Sequence, residues 1–135
     1  MNKKNTSFPA DFLPEGVEQS LYGCGGIGGL TGRLPPDSET EALAAVYRAL
    51  ADSNRVKILF MLNVQPLCVC VIKTVLGIAD SKLSYHLSIL KKSGLISGEQ
   101  KGTWIIYSLT EKGKKWLYSG INANAARKDR ADGFF

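Results

Sequence analysis

Cys68 and Cys70 flank a single valine in Leu67-Cys68-Val69-Cys70, about ten residues ahead of Asp80-Ser81-Lys82-Leu83-Ser84-Tyr85-His86-Leu87. Two thiols so close together can bind a soft metal ion or be oxidised, and thiolate is the form that does either. The stretch after them alternates an apolar stripe with hydroxyl and basic side chains, as a helix does when one face docks and the other reads DNA. The pairing points to a chemical switch beside a DNA grip. Two small buried thiols are the plainer reading of the cysteines.

The elements around these residues read as helices first. Pro35-Pro36 closes a segment rich in Pro, Gly and polar residues, and Tyr22 to Gly29 holds too much glycine for a stable helix, so residues 1–36 are expected to be a flexible arm. Ser38 with Glu41 makes a capping box for a first helix through Ala42, Leu43, Val46 and Leu50. Asp52 caps a second, with Val56, Leu59, Phe60 and Asn63 inward and Arg55 and Lys57 outward. A short helix from about Cys68 to Leu76 ends at Gly77, and Asp80 or Ser81 caps the next, through Ser93. There Leu83, Leu87 and Leu90 share one face, while Ser81, Tyr85, Ser88 and Lys92 share the other. Leu95 to Ser97 and Thr103 to Leu109 then form a hairpin around Glu99-Gln100-Lys101-Gly102, and Thr110 opens a last helix carrying Trp116, Leu117 and Ile121. The expected fold is mainly α with a β-hairpin wing: one winged helix-turn-helix domain over residues 37–126, with a C-terminal tail at 127–135.

Charge agrees with an anionic partner. Seventeen Lys and Arg against twelve Asp and Glu leave +5, and between Ser81 and Lys115 seven lysines face only Glu99 and Glu111. Ser81, Ser84, Tyr85 and Ser88 are the candidates for base edges, and Lys82, Lys91, Lys92 and Lys101 for phosphates. Gly102 and Thr103 are placed at the wing tip against the minor groove or backbone by analogy with the fold. His86, beside the leucine stripe, reads as a packing histidine with one hydrogen bond, and Trp104 and Tyr107 as packed wing residues. With one histidine and no convergent nucleophile or paired carboxylates, an enzyme is not expected. A cytoplasmic protein without membrane contact is, since no apolar run is long enough for a span and no leader pattern opens the chain. Gly23, Gly25 and Gly28 spell a dinucleotide fingerprint without the strand and helix it needs.

Ala49-Leu50-Ala51-Asp52-Ser53-Asn54-Arg55-Val56-Lys57-Ile58-Leu59, Ser81 to Ile96 and Leu67-Cys68-Val69-Cys70 together resemble the ArsR/SmtB family of metalloregulatory repressors, over about half of the chain. The resemblance implies a homodimer, built by the first and last helices, that occupies double-stranded operator DNA until an inducer binds. Its arsenic- and cadmium-sensing branches imply Cys68 and Cys70 as metal ligands, for As(III) or Sb(III) first, with Cd(II), Pb(II) or Bi(III) as competitors. Where some arsenic sensors carry a third cysteine stands Lys73, which leaves Cys24, on an arm like that of the cadmium branch, as third ligand. Val71 stands where Asp is usual in such sensors, and Thr110 to Ala126 holds no histidine for the zinc site of other relatives.

Two expectations concern how the switch works. The helix dipole and Lys73 should favour thiolate at both cysteines. Residues two apart diverge on a regular helix, so joint capture should require its first turn to open or distort. The alternatives are a thiol-redox or sulfur-stress repressor, in which Cys68 or Cys70 bridges to Cys24, and a winged-helix protein-interaction module.

Overall fold

A computed structural model describes the backbone of residues 13–134 and the side chains of residues 13–124. Residues 1–12 of the expected arm lie outside it. The chain divides into two compact units, residues 1–44 and 45–135.

In the first unit, α1 (Val17–Ser20) leads through a 3-10 turn (Tyr22–Cys24) to α2 (Gly26–Arg33). The glycine-rich stretch expected to resist regular structure is therefore helical. At Gly29 the backbone comes close: a Cβ there would clash with the Cys24 carbonyl oxygen. Helix α3 (Asp37–Leu50) begins one residue before the expected cap. Thr40 N–H bonds the Pro36 carbonyl at 3.2 Å, so Ser38 lies inside the first turn and does not cap it.

The second unit holds α4 (Ser53–Val64), β1 (Leu67–Cys68), α5 (Val69–Leu76), α6 (Asp80–Lys92), β2 (Ile96–Lys101), β3 (Trp104–Leu109) and α7 (Glu111–Phe134). Asp52 caps α4 as its position predicts, accepting from Asn54 N–H at 2.8 Å and Arg55 N–H at 3.2 Å. The buried face of α4 differs from expectation. Arg55, Ile58, Leu59 and Leu62 point inward, Phe60 is 48% exposed and Asn63 is exposed. Positions 55, 58, 59 and 62 keep helical spacing as well as 56, 59, 60 and 63 do. The arginine turns inward because it has partners there.

Helices α5 and α6 form the expected helix-turn-helix. Gly77, at φ +66°, ends α5 with its N–H on the Lys73 carbonyl at 2.8 Å, a left-handed turn that a side chain would strain. Ala79 precedes the first turn of α6 without a side-chain cap. Asp80 instead lies 2.7 Å from Lys73 Nζ, tying the start of α6 back to α5. Leu83, Leu87 and Leu90 pack with Ile58, Leu59, Ile72, Leu95, Ile96, Tyr107 and Leu117 in one core. Burial of side chains this size, at about 1.5–3 kcal/mol each, seats the helix.

The wing carries a third strand that the sequence did not announce. The sheet runs β1-β3-β2, antiparallel throughout, with Leu67 opposite Tyr107 and Cys68 opposite Ile106. Tyr107 is buried as expected, but Trp104 is 55% exposed at the wing tip, opposite Lys101, and is not a packing residue. The last helix continues to Phe134, past the boundary that composition drew at 127. No helix among the described residues is long and apolar enough to cross a membrane.

Candidate thiol site and nucleic-acid interface

Cys68 ends β1 and is the N-cap of α5, with extended backbone (φ −66°, ψ 145°). It is therefore outside the helix, and the divergence expected of two helical residues does not apply. Its Sγ lies 2.8 Å from Cys70 Sγ and accepts the Cys70 backbone N–H at 3.4 Å. Two sulfurs sharing one ion at about 2.3 Å each lie no more than about 4.6 Å apart. The pair thus lies within reach of one ion before the first turn of α5 has moved.

The two thiols are not equivalent. The hydrogen bond between the two thiols and then the Cys70 backbone N–H hold the Cys68 thiol below its ordinary range. Cys70 is pushed up, first by the same hydrogen bond, then by desolvation and the Cys68 charge. The thiolate form is thereby favoured at Cys68 and disfavoured at Cys70, whereas it was expected at both. The cation assigned to them by spacing, Lys73, is engaged with Asp80. Val71 is 42% exposed and offers no donor.

Cys24 belongs to the other compact unit, where it ends the 3-10 turn and donates to the Leu21 carbonyl at 3.2 Å. Among the described residues no three His, Cys, Asp or Glu side chains gather in a metal-holding group.

On α6, Ser81, Lys82, Ser84, Tyr85, Ser88, Lys91 and Lys92 are all exposed along the face opposite the core. Tyr85 is the aromatic among them, 61% exposed. Lys101, Gly102 and Thr103 are exposed at the hairpin turn, which Gly102 closes at φ +63°. Lys101 lies 3.9 Å from Glu99. Of the other lysines in the basic segment, Lys112 donates to the Ser93 carbonyl at the end of α6, at 2.8 Å, and Lys114 pairs with Glu111.

Sequence reading missed what holds α6 from beneath. Arg55 donates from Nε to the Ala49 carbonyl at 2.7 Å, from NH2 to the Arg48 carbonyl at 3.2 Å and from NH1 to His86 Nδ1 at 3.0 Å. His86 is 3% exposed and is, as expected, a packing residue with one hydrogen bond. Because Nδ1 accepts, Nε2 carries the proton in the neutral ring. That nitrogen finds no hydrogen-bond partner among the described residues, Asp52 Oδ1 lying 4.0 Å away. Burial pushes the His86 pKa down; the Asp52 charge opposes this, and Arg55 and Lys82 add to it. The inward stripe Arg55-Ile58-Leu59-Leu62 is the signal that could have found the arrangement.

Comparison with known proteins matches this architecture. The family described as "Bacterial regulatory protein, arsR family" matches residues 52–97, from the α4 cap to β2. The arsenical resistance operon repressor of Bacillus subtilis is 40% identical over 74 residues, which cover 54% of this chain and 70% of that protein. A Staphylococcus aureus protein named as a cadmium resistance transcriptional regulatory protein CadC homolog is 34% identical over 76 residues, 56% of this chain and 63% of its own. Among solved structures, a homodimeric winged helix-turn-helix DNA-binding domain from Mycobacterium bovis, described as a possible ArsR-family regulator, superposes with a TM-score of 0.60. It is 26% identical, covering 67% of this chain and 84% of that one. A winged helix-turn-helix with these relatives is a DNA-binding transcription regulator and not an enzyme, and the chain belongs to the arsR family of bacterial regulatory proteins.

Proposed function

We propose that the protein represses transcription as a homodimer on operator DNA and leaves it when Cys68 and Cys70 capture a thiophilic ion, As(III) or Sb(III) before Cd(II), Pb(II) or Bi(III). The observation that carries the reading is the 2.8 Å approach of two thiols at the N-cap of α5, the helix that turns into α6 through Gly77. The names of the Bacillus and Staphylococcus relatives, arsenical and cadmium resistance regulators, favour the same inducers. Cys24 supplies the third sulfur that a trivalent ion takes.

DNA recognition falls to the exposed face of α6. Ser81, Ser84, Tyr85 and Ser88 meet base edges, Lys82, Lys91, Lys92 and Lys101 neutralise phosphates, and Gly102 with Thr103 rides the adjoining groove or backbone. A second subunit suits this use, since two such faces about one helical turn apart enter successive major grooves. The Mycobacterium neighbour is homodimeric. Tyr47 on α3 and Tyr118 on α7 are 56% and 50% exposed here, and Tyr47 already stacks edge-on against Trp116 at 5.2 Å. Exposed aromatics of this kind fit an interface between copies.

Release follows from what ion capture takes away. Cys68 Sγ caps α5, so an ion that claims its lone pairs and the Cys70 thiol pulls on the first turn of that helix. The Gly77 turn and the Lys73–Asp80 pair carry the displacement to α6. The ion must bind the released form better by several kcal/mol to empty the operator. An operator-binding titration with arsenite on the wild type, Cys68→Ser and Cys24→Ser decides the matter: release that survives Cys68→Ser rejects the site. Strong salt-dependent operator binding separates this reading from a winged helix that docks proteins.

A further inference from the structure

We infer that a hydroperoxide oxidises Cys68 and Cys70 to an intrasubunit disulfide, and that this bond closes the pair to thiophilic ions while leaving the operator grip in place. The second half rests on the proposed function; the first does not.

The geometry brings the reacting atoms together. The sulfurs are already 2.8 Å apart, and a disulfide needs about 2.05 Å, an approach of less than an ångström. Cys70 is exposed and Cys68 half-buried, so a small oxidant reaches them. Cys68, whose Sγ accepts the Cys70 backbone N–H, is the nucleophile, and the adjacent Cys70 is the resolving thiol. The Cys68 thiolate attacks one peroxide oxygen, the O–O bond breaks, and Cys68 becomes a sulfenic acid as hydroxide departs. Cys70 then loses its proton and its sulfur attacks Cys68 Sγ, forming the S–S bond and expelling a second hydroxide. Two thiols and one hydrogen peroxide give one disulfide and two waters, an organic hydroperoxide giving one water and one alcohol, the peroxide being reduced.

Oxidation and ion capture then differ in their effect on the fold. The disulfide draws the sulfurs together along the line on which they lie, and Cys68 stays paired opposite Ile106 in the sheet. Capture must instead spread them around an ion. An oxidised repressor therefore stays bound and deaf to its inducer.

The test uses the reduced full-length chain and one equivalent of hydrogen peroxide. Expected are a fall in titratable thiols from three to one, a peptide joining Cys68 to Cys70 under non-reducing digestion, and the same bridge in Cys24→Ser. Cys70→Ser should stop at a Cys68 sulfenic acid that a dimedone probe labels. A bridge to Cys24, a bridge between subunits, or three free thiols after oxidation overturns the disulfide. With oxidant removed, operator affinity should be unchanged and arsenite should no longer release DNA until a phosphine reductant restores the thiols. Loss of the operator on oxidation overturns the second half. Reduced protein that ignores arsenite sinks the proposed function alone, since the thiol count and peptide still decide the bond.

Discussion

Arg55 on α4 donates to Nδ1 of His86 on α6 across 3.0 Å, both side chains being buried. The same guanidinium holds the Ala49 and Arg48 carbonyls at the end of α3. One side chain thereby fastens α6 to α4 and to the end of α3, with the three-way fork that a planar guanidinium offers and an ammonium does not.

Arg55→Ala should leave two carbonyls and a ring nitrogen without this donor in the core, and cost about 3–5 kcal/mol of unfolding free energy. Arg55→Lys should recover less than half, because one ammonium cannot reach all three acceptors. Urea unfolding followed by circular dichroism measures both, and a lysine variant as stable as the wild type would contradict the strut.

Stability should fall on mild acidification. The His86 pKa is lowered by burial from its ordinary 6.5, so its contribution is complete above that value and is lost as pH drops through the lower folded value. At Asp52, partial burial resists charge, but the backbone N–H groups of Arg55 and Asn54 and the nearby His86 and Arg55 charges outweigh it and hold the pKa down. Its contribution is likewise lost as pH falls, in the carboxylate range. Melting temperature against pH should decline in two stages, and His86→Asn, which keeps an acceptor facing Arg55 but cannot be protonated, should lack the first.

Capture of Cd(II) should strengthen with pH. Cys68 gives up its proton more readily than Cys70, and an ion bound near neutrality must displace whatever protons the thiols still hold. Cadmium titrations by thiolate absorption should show affinity climbing until Cys70 is ionised, and flat affinity from about pH 6 to 9 would rule out proton displacement on capture.

Salt dependence should sort the lysines. Replacing Lys82, Lys91 or Lys92 by Ala should weaken operator and unrelated DNA alike and lower the salt slope by about one for each phosphate no longer neutralised. Lys112→Ala should leave the slope alone, since its ammonium is occupied with the Ser93 carbonyl. Tyr85→Ala should weaken operator more than unrelated DNA.

Asp52→Ala removes the α4 cap and should cost about 0.5–2 kcal/mol, with Asp52→Asn losing less because an amide oxygen still accepts. Thermal unfolding of the pair at neutral pH checks the order.

Short-range chemistry was written in the residues. The Asp52 cap, the Gly77 turn, the leucine stripe of α6 with its hydroxyl and lysine face opposite, and the hairpin after it depend on neighbours within a turn or two, which spacing and residue type report directly. Interactions between distant segments were not. Arg55 faces inward because His86, 31 residues on, accepts its hydrogen bond. Trp104 stays in solvent because the wing tip reaches past the core, and Tyr107 is buried because β1 lies beside it. That pairing also draws Cys68 out of the helix into a strand and swings its sulfur onto that of Cys70. A helical period predicts divergence for residues two apart, and only a partner strand from the wing could reverse it.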